Sequence, residues 1–145
     1  MSEQITLGFT VASTDYSAPL GLRVSLDQNI IYESNHVNAP VEIQHQLLDD
    51  EGEHELTFEM FGKQPEHTTI DDAGNIVSDA VLNISTVELD GIDINYLFQQ
   101  LTVYHHDFNG TQAAIEEKCY GTMGCNGTVR LKFTSPIYLW FLENM

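Results

Sequence analysis

The stretch Leu22-Arg-Val-Ser-Leu-Asp-Gln-Asn-Ile-Ile31 decides the fold. Leu22, Val24 and Leu26 alternate with Arg23, Ser25 and Asp27, the period of a strand with one face in a core and the other in water. Asp27-Gln28-Asn29 lies between two apolar segments and reads as a tight hairpin turn. The same alternation recurs outward along the chain. Ile5, Leu7, Phe9 and Val11 share one face; so do Val41, Ile43, His45 and Leu47; so do Leu56, Phe58 and Met60; so do Val129, Leu131 and Phe133.

Turn signals separate these runs. Asp49-Asp50-Glu51-Gly52 is a charged turn, and Asp71-Asp72-Ala73-Gly74-Asn75 is a hairpin loop with Gly74 or Asn75 supplying a positive φ. Asn109-Gly110 and Asn126-Gly127 are turn dipeptides. Short strands at this spacing predict an all-β, two-sheet antiparallel sandwich over residues 1–145, one domain with at most one or two short helices. Ala80, Leu82 and Ile84 share a face, but the next apolar pair is Val87 and Leu89. A β-bulge at Ser85-Thr86 would return both sets to the core. The single helical spacing is Ile94, Leu97, Phe98 and Leu101, with Asp93 placed to cap it.

The charge is the unusual quantity. Asp and Glu total 22 against 5 Lys and Arg, a net charge of −17. Such a surface repels phosphate backbones and anionic headgroups, so neither nucleic acid nor membrane is an expected partner. No apolar run approaches a membrane span, and residues 1–10 lack a basic region followed by an apolar one, so no secretory signal is expected. Cys119 and Cys125 could close a small loop, but reduced thiols are the default without secretion.

Catalytic signatures are missing: no nucleophile elbow, phosphate-binding loop, dinucleotide fingerprint or zinc-helix motif is present. The chain therefore reads as a non-enzyme. Three other groups of residues are candidates for a site. Tyr104, His105, His106, Asp107, Phe108 and Asn109 combine aromatic, imidazole, carboxylate and amide groups beside a turn, the mixture that recognises glycans. The plainer reading is a loop whose Tyr104 and Phe108 plug the open end of the core. Asp71, Asp72, Asn75 and Asp79 offer oxygens to Ca²⁺, the one cofactor the composition suggests, or simply build a hairpin. Pro136-Ile-Tyr-Leu-Trp-Phe-Leu-Glu-Asn144 reads as a final strand, apolar on both faces. Tyr138, Trp140 and Leu142 then lie on a face that a partner must cover, either a second copy or another protein. The alternative cover is the short helix at residues 94–101.

Two resemblances add to this reading. Leu22–Ile31 followed by Gly52-Glu-His-Glu-Leu-Thr-Phe58 resembles jelly-roll carbohydrate-binding modules. Thr69-Ile-Asp-Asp-Ala-Gly-Asn-Ile-Val-Ser-Asp79, Leu89-Asp-Gly-Ile-Asp93, Tyr120-Gly-Thr-Met-Gly-Cys-Asn-Gly127 and the C-terminal run resemble small proteins of marine and cyanobacterial tailed phages. That resemblance implies a virion structural or accessory protein, made in the host cytoplasm and bound to other virion proteins or to itself. A glycan-binding module, with or without Ca²⁺, is the alternative. Only one tryptophan is present, so no paired-tryptophan sugar platform can form.

Overall fold

The computed structural model describes residues 4–48 and 52–144. Two antiparallel sheets pack face to face as a β-sandwich. The first sheet contains β1 (Gln4–Ser13), β4 (Val41–Leu48), β8 (Leu82–Leu89), β9 (Ile92–Asp93) and β12 (Thr122–Met123), in the order β12-β8-β1-β4 with β9 paired to β8. The second contains β2 (Gly21–Leu26), β3 (Asn29–Ser34), β5 (Gly52–Phe61), β10 (Val103–His106), β11 (Ile115–Glu117) and β13 (Gly127–Ser135), in the order β11-β10-β13-β5-β2-β3. A separate two-stranded sheet, β6 (Thr68–Ile70) with β7 (Ile76–Asp79), follows the single helical turn Pro65–His67. The charged turn read at Asp49-Asp50-Glu51 lies outside the described residues.

Alternation places the core as expected. Leu7, Phe9 and Val11 of β1 face Leu56, Phe58 and Met60 of β5, and all six are buried. Phe9 meets Phe58 edge-on across the sandwich, with ring centroids 4.9 Å apart. Such a pair contributes about 0.5–1.5 kcal/mol beyond its buried area. The bulge also appears. Between Gly8↔Glu88 and Thr10↔Ser85, β8 carries one residue more than β1, and Thr86 takes φ 51°. Ile84 and Val87 are therefore both buried.

Helix α1 (Asn95–Leu101) buries Leu97 and Phe98, and the Asp93 carboxylate accepts the Asn95 N–H at 2.8 Å. Phe98 reaches Phe58 edge-on at 5.9 Å, so the helix closes one side of the core.

The C-terminal run departs from the expected strand. It forms helix α2 (Ile137–Asn144). Six consecutive apolar residues carry no period, so their pattern cannot separate a buried strand from a helix. Pro136 lacks the N–H that a further ladder bond would need, and its carbonyl accepts the N–H groups of Leu139 (3.1 Å) and Trp140 (3.4 Å) to start the helix. Ile137, Trp140 and Phe141 turn inward, while Tyr138, Leu139 and Leu142 face solvent. Asn126-Gly127 also differs: Gly127 opens β13 instead of forming a turn. A Cβ there would lie 2.3 Å from the His105 carbonyl oxygen, so a close strand approach requires the glycine.

Candidate functional site

Of the six residues from Tyr104 to Asn109, all but His105 make side-chain or ring contacts within the protein. β10 turns Tyr104 and His106 inward and His105 outward. The Tyr104 hydroxyl accepts the Cys125 N–H at 2.8 Å and donates to the Cys125 carbonyl. Burial raises the pKa of that phenol. The His106 ring sits 4.5 Å from the Tyr104 ring and 4.6 Å from the Phe108 ring, and its Nε2 is 3.2 Å from Glu117. Asp107 accepts the Gly110 N–H at 2.9 Å, with Phe108 and Asn109 in left-handed conformations at φ 55° and 60°. The Asn109 side chain accepts the Asn126 N–H at 2.8 Å. Aromatic faces that would stack on a sugar are thus packed against one another, and the stretch plugs one end of the second sheet.

The four oxygen-bearing residues of the second hairpin are not brought together. The Asp71 carboxylate accepts the N–H groups of Ala73 (3.0 Å) and Asn75 (2.9 Å), which closes the turn with Gly74 at φ 84°. Asp72 is exposed beside it. Asp79 lies at the other end of the hairpin, paired with Thr68, and its carboxylate takes the Lys63 ammonium at 2.5 Å and the Thr68 hydroxyl at 2.7 Å. Among the described residues, no three His, Cys, Asp or Glu side chains are placed to hold a metal ion.

Of the proposed contact residues, Tyr138 and Leu142 stay on the surface, whereas Trp140 is 4% exposed. Helical geometry separates them: residues two apart point to different sides of a helix, but to the same side of a strand. Trp140 packs on Phe133 at 6.0 Å and on Phe141 at 5.6 Å. Tyr138 donates to Asp90 at 2.6 Å. Cys119 and Cys125 are free thiols whose pKa values burial raises, so neither is an activated nucleophile.

A concavity lies at the opposite end of the second sheet. It is an open cleft of about 760 Å³ lined by Asp27, Gln28, His54, Lys132, Phe133 and Trp140, with Glu53 and Glu55 also on its wall. Three sequence-distant residues meet there. Asp27 Oδ2 lies 2.7 Å from His54 Nδ1, and His54 Nε2 lies 3.1 Å from Ser135 Oγ. The second Asp27 oxygen accepts the Glu55 N–H at 2.8 Å. The imidazole stacks on Phe133, with centroids 5.3 Å apart. When Nδ1–H donates to the carboxylate, Nε2 accepts from the serine hydroxyl. This is the order of groups that activates a serine nucleophile.

Three features weigh against that chemistry. Ser135 is 7% exposed, and the cleft wall is built from Phe133 and Thr134 of the same strand instead. Its hydroxyl also lies 3.5 Å from the Gly52 carbonyl, which competes for its proton. The following residue is Pro136, with no backbone N–H for a developing oxyanion. What the relay does is stitch the β2–β3 turn, the start of β5 and the end of β13 into one layer. The sequence puts Asp27 in a turn, but nothing in the spacing joins positions 27, 54 and 135.

Among the described residues, no helix is long and apolar enough to cross a membrane. No family model, no curated protein and no solved structure matches this chain.

Proposed function

We propose that this chain is a non-catalytic structural or accessory protein of a virus particle, acting through protein–protein contacts. The observation that carries the reading is the β6–β7 arm. Residues 69–78 are exposed throughout, and Ile70, Ile76 and Val77 are 58%, 64% and 64% exposed. A two-stranded hairpin alone in water is marginal, and three exposed aliphatic side chains within it gain free energy only against a partner. The root of the arm is anchored. Lys63, itself buried, holds Asp79 and the Gly124 carbonyl; Thr14 donates to the Asp79 carbonyl at 2.8 Å; and the Ala80 N–H donates to His67 at 3.0 Å. The body thus presents the arm in one direction. A net charge of −17 and Asp72 near the tip specify the receptor as an apolar slot with a basic rim on another protein. The similarity of residues 69–79 and the C-terminal run to small tailed-phage proteins supports placing that receptor on a particle.

The test is incorporation. Tagged chain expressed in cells producing its own virus should sediment with purified particles. The I70S/I76S/V77S variant should fold as wild type and be lost from them. Absence of the wild type from particles, or equal incorporation of the variant, defeats the reading.

Glycan binding is the second reading, and the cleft favours it, since Gln28, Asp27 and Lys132 bring amide, carboxylate and ammonium groups to its wall. Glycan-array binding that Q28A/K132A abolishes would support it over the first.

A further inference from the structure

We infer that the free edge of β4 pairs antiparallel with β4 of a second copy, joining two sandwiches through one continuous sheet. This contact is separate from the arm and stands or falls independently of it.

A strand at a sheet edge leaves a row of backbone N–H and C=O groups without ladder partners, and folded proteins ordinarily blunt such edges. Three of the sheet ends here are blunted. β12 and β9 are two residues long each. β11 has three residues, two of them Glu116 and Glu117. β3 carries a bulge opposite Val24 and Ser25, and its Glu33 is tied to Arg23. β4 has none of these devices. It runs eight residues, its register against β1 is unbroken from Gln4↔Leu48 to Val11↔Val41, and no other described strand pairs with it.

Its side chains suit self-pairing. In a chain with 22 acidic residues, the eight of β4 include one, Glu42. Antiparallel pairing about a two-fold axis at Gln44 sets Gln44 opposite its own copy, Glu42 opposite Gln46, Ile43 opposite His45 and Val41 opposite Leu47. Core-facing residues then meet core-facing residues. Val41, Ile43 and His45, half-buried at the edge of the monomer, gain a neighbouring strand on their open side. On the outer face every pair is amide–amide or amide–carboxylate, and no two carboxylates oppose. A register moved by one residue would set Ile43 against Gln46 and bring apolar against polar faces, so side-chain parity excludes it. The second copy is favoured over a foreign strand because this edge complements itself in both polarity and charge.

Like-charged bodies meeting through a neutral edge predict the salt dependence. Raising salt from about 0.1 M to about 1 M shortens the screening length from about 10 Å to about 3 Å. Sedimentation equilibrium of the whole chain should therefore show a monomer–dimer equilibrium that tightens with salt. Gln44→Glu, which opposes two carboxylates at the axis, should weaken the dimer by about fivefold, the upper end of one cross-strand repulsion, with the melting temperature of the monomer unchanged. Under mild oxidation Gln44→Cys should form a reducible dimer, while Gln46→Cys, placed opposite Glu42, should not. The arm variant I70S/I76S/V77S should dimerise as wild type does, which separates this contact from the particle reading. A strictly monomeric chain at high concentration and high salt overturns the inference and would leave the edge to a strand of another protein. So does a dimer indifferent to Gln44→Glu, or equal cross-linking by Gln44→Cys and Gln46→Cys.

Discussion

Two hairpins of this molecule, β2–β3 and β6–β7, begin their turns with the same residue and end in opposite states. At the β2–β3 turn, Asp27 and Gln28 take φ 52° and 70°, and the Asp27 carboxylate leaves its own turn to bind His54 and the Glu55 N–H. At the β6–β7 turn, the Asp71 carboxylate folds back onto its own loop through Ala73 and Asn75. The first aspartate ties a hairpin into the body; the second completes a hairpin that stands clear of it. An aspartate in a turn satisfies whatever N–H donors are nearest. In the first case a neighbouring strand supplies one; in the second, only the loop does. Integration of a hairpin is therefore decided by what lies beside it, not by its turn chemistry.

The largest effects should separate body from arm. Trp140→Ala removes a buried indole packed between Phe133 and Phe141 and should lower stability by about 3–5 kcal/mol. Ile76→Ala in the arm should stay within about 0.5 kcal/mol. Urea unfolding followed by fluorescence or circular dichroism measures both, and comparable losses would abolish the distinction.

The arm's root should behave like the body. Lys63→Met strands the Asp79 carboxylate and the Gly124 carbonyl that the ammonium held. Breaking one partner of a buried pair costs about 3–5 kcal/mol, and the partial exposure of Asp79 puts this one near about 3. A loss below about 1 kcal/mol would show that the arm is not anchored there.

The two aspartates give the direct comparison. Asp27→Ala should cost about 2 kcal/mol of global stability, since it removes two hydrogen bonds made by a charged group. Asp71→Ala should leave global stability within about 0.5 kcal/mol. Its effect should appear instead as faster amide exchange confined to residues 69–78. Exchange that speeds up across both main sheets would tie the arm to the core after all.

The relay that Asp27 anchors should be mechanical. Ser135→Ala should cost about 1 kcal/mol, and neither it nor the wild type should turn over activated esters. Ester hydrolysis that Ser135→Ala eliminates would make the relay a catalytic triad and overturn the non-catalytic reading.

The smallest expected effect is that of Ca²⁺. Asp71 is engaged in its turn and Asp79 with Lys63, so Ca²⁺ and EDTA at matched ionic strength should give the same melting temperature. A saturating rise at low Ca²⁺, removed by D71N/D72N, would reverse the contrast and give the arm a ligand of its own.

Much of the architecture is legible in the sequence alone. Five alternating segments became strands β1, β2, β4, β5 and β13, and the slip after Ile84 became a bulge with Thr86 at its centre. The helix at residues 95–101 followed from its spacing. The C-terminal helix was not legible, because residues 137–142 are apolar at every position and so have no phase. The candidate sites fared worse. Tyr104 and His106 look recognition-ready as a string of groups, yet their hydrogen bonds and ring contacts are all made inside the protein.

Alternation alone determined that this chain would be a sandwich and which face of each strand would be buried, because the pleat turns a period of two in sequence directly into two sides in space. Tertiary structure alone decided that Asp27, His54 and Ser135 would meet, that Lys63 would be buried beneath the arm, and that β4 would lie at an edge. Strand order and register bring such residues together across tens of positions, and no local pattern encodes which strand becomes whose neighbour.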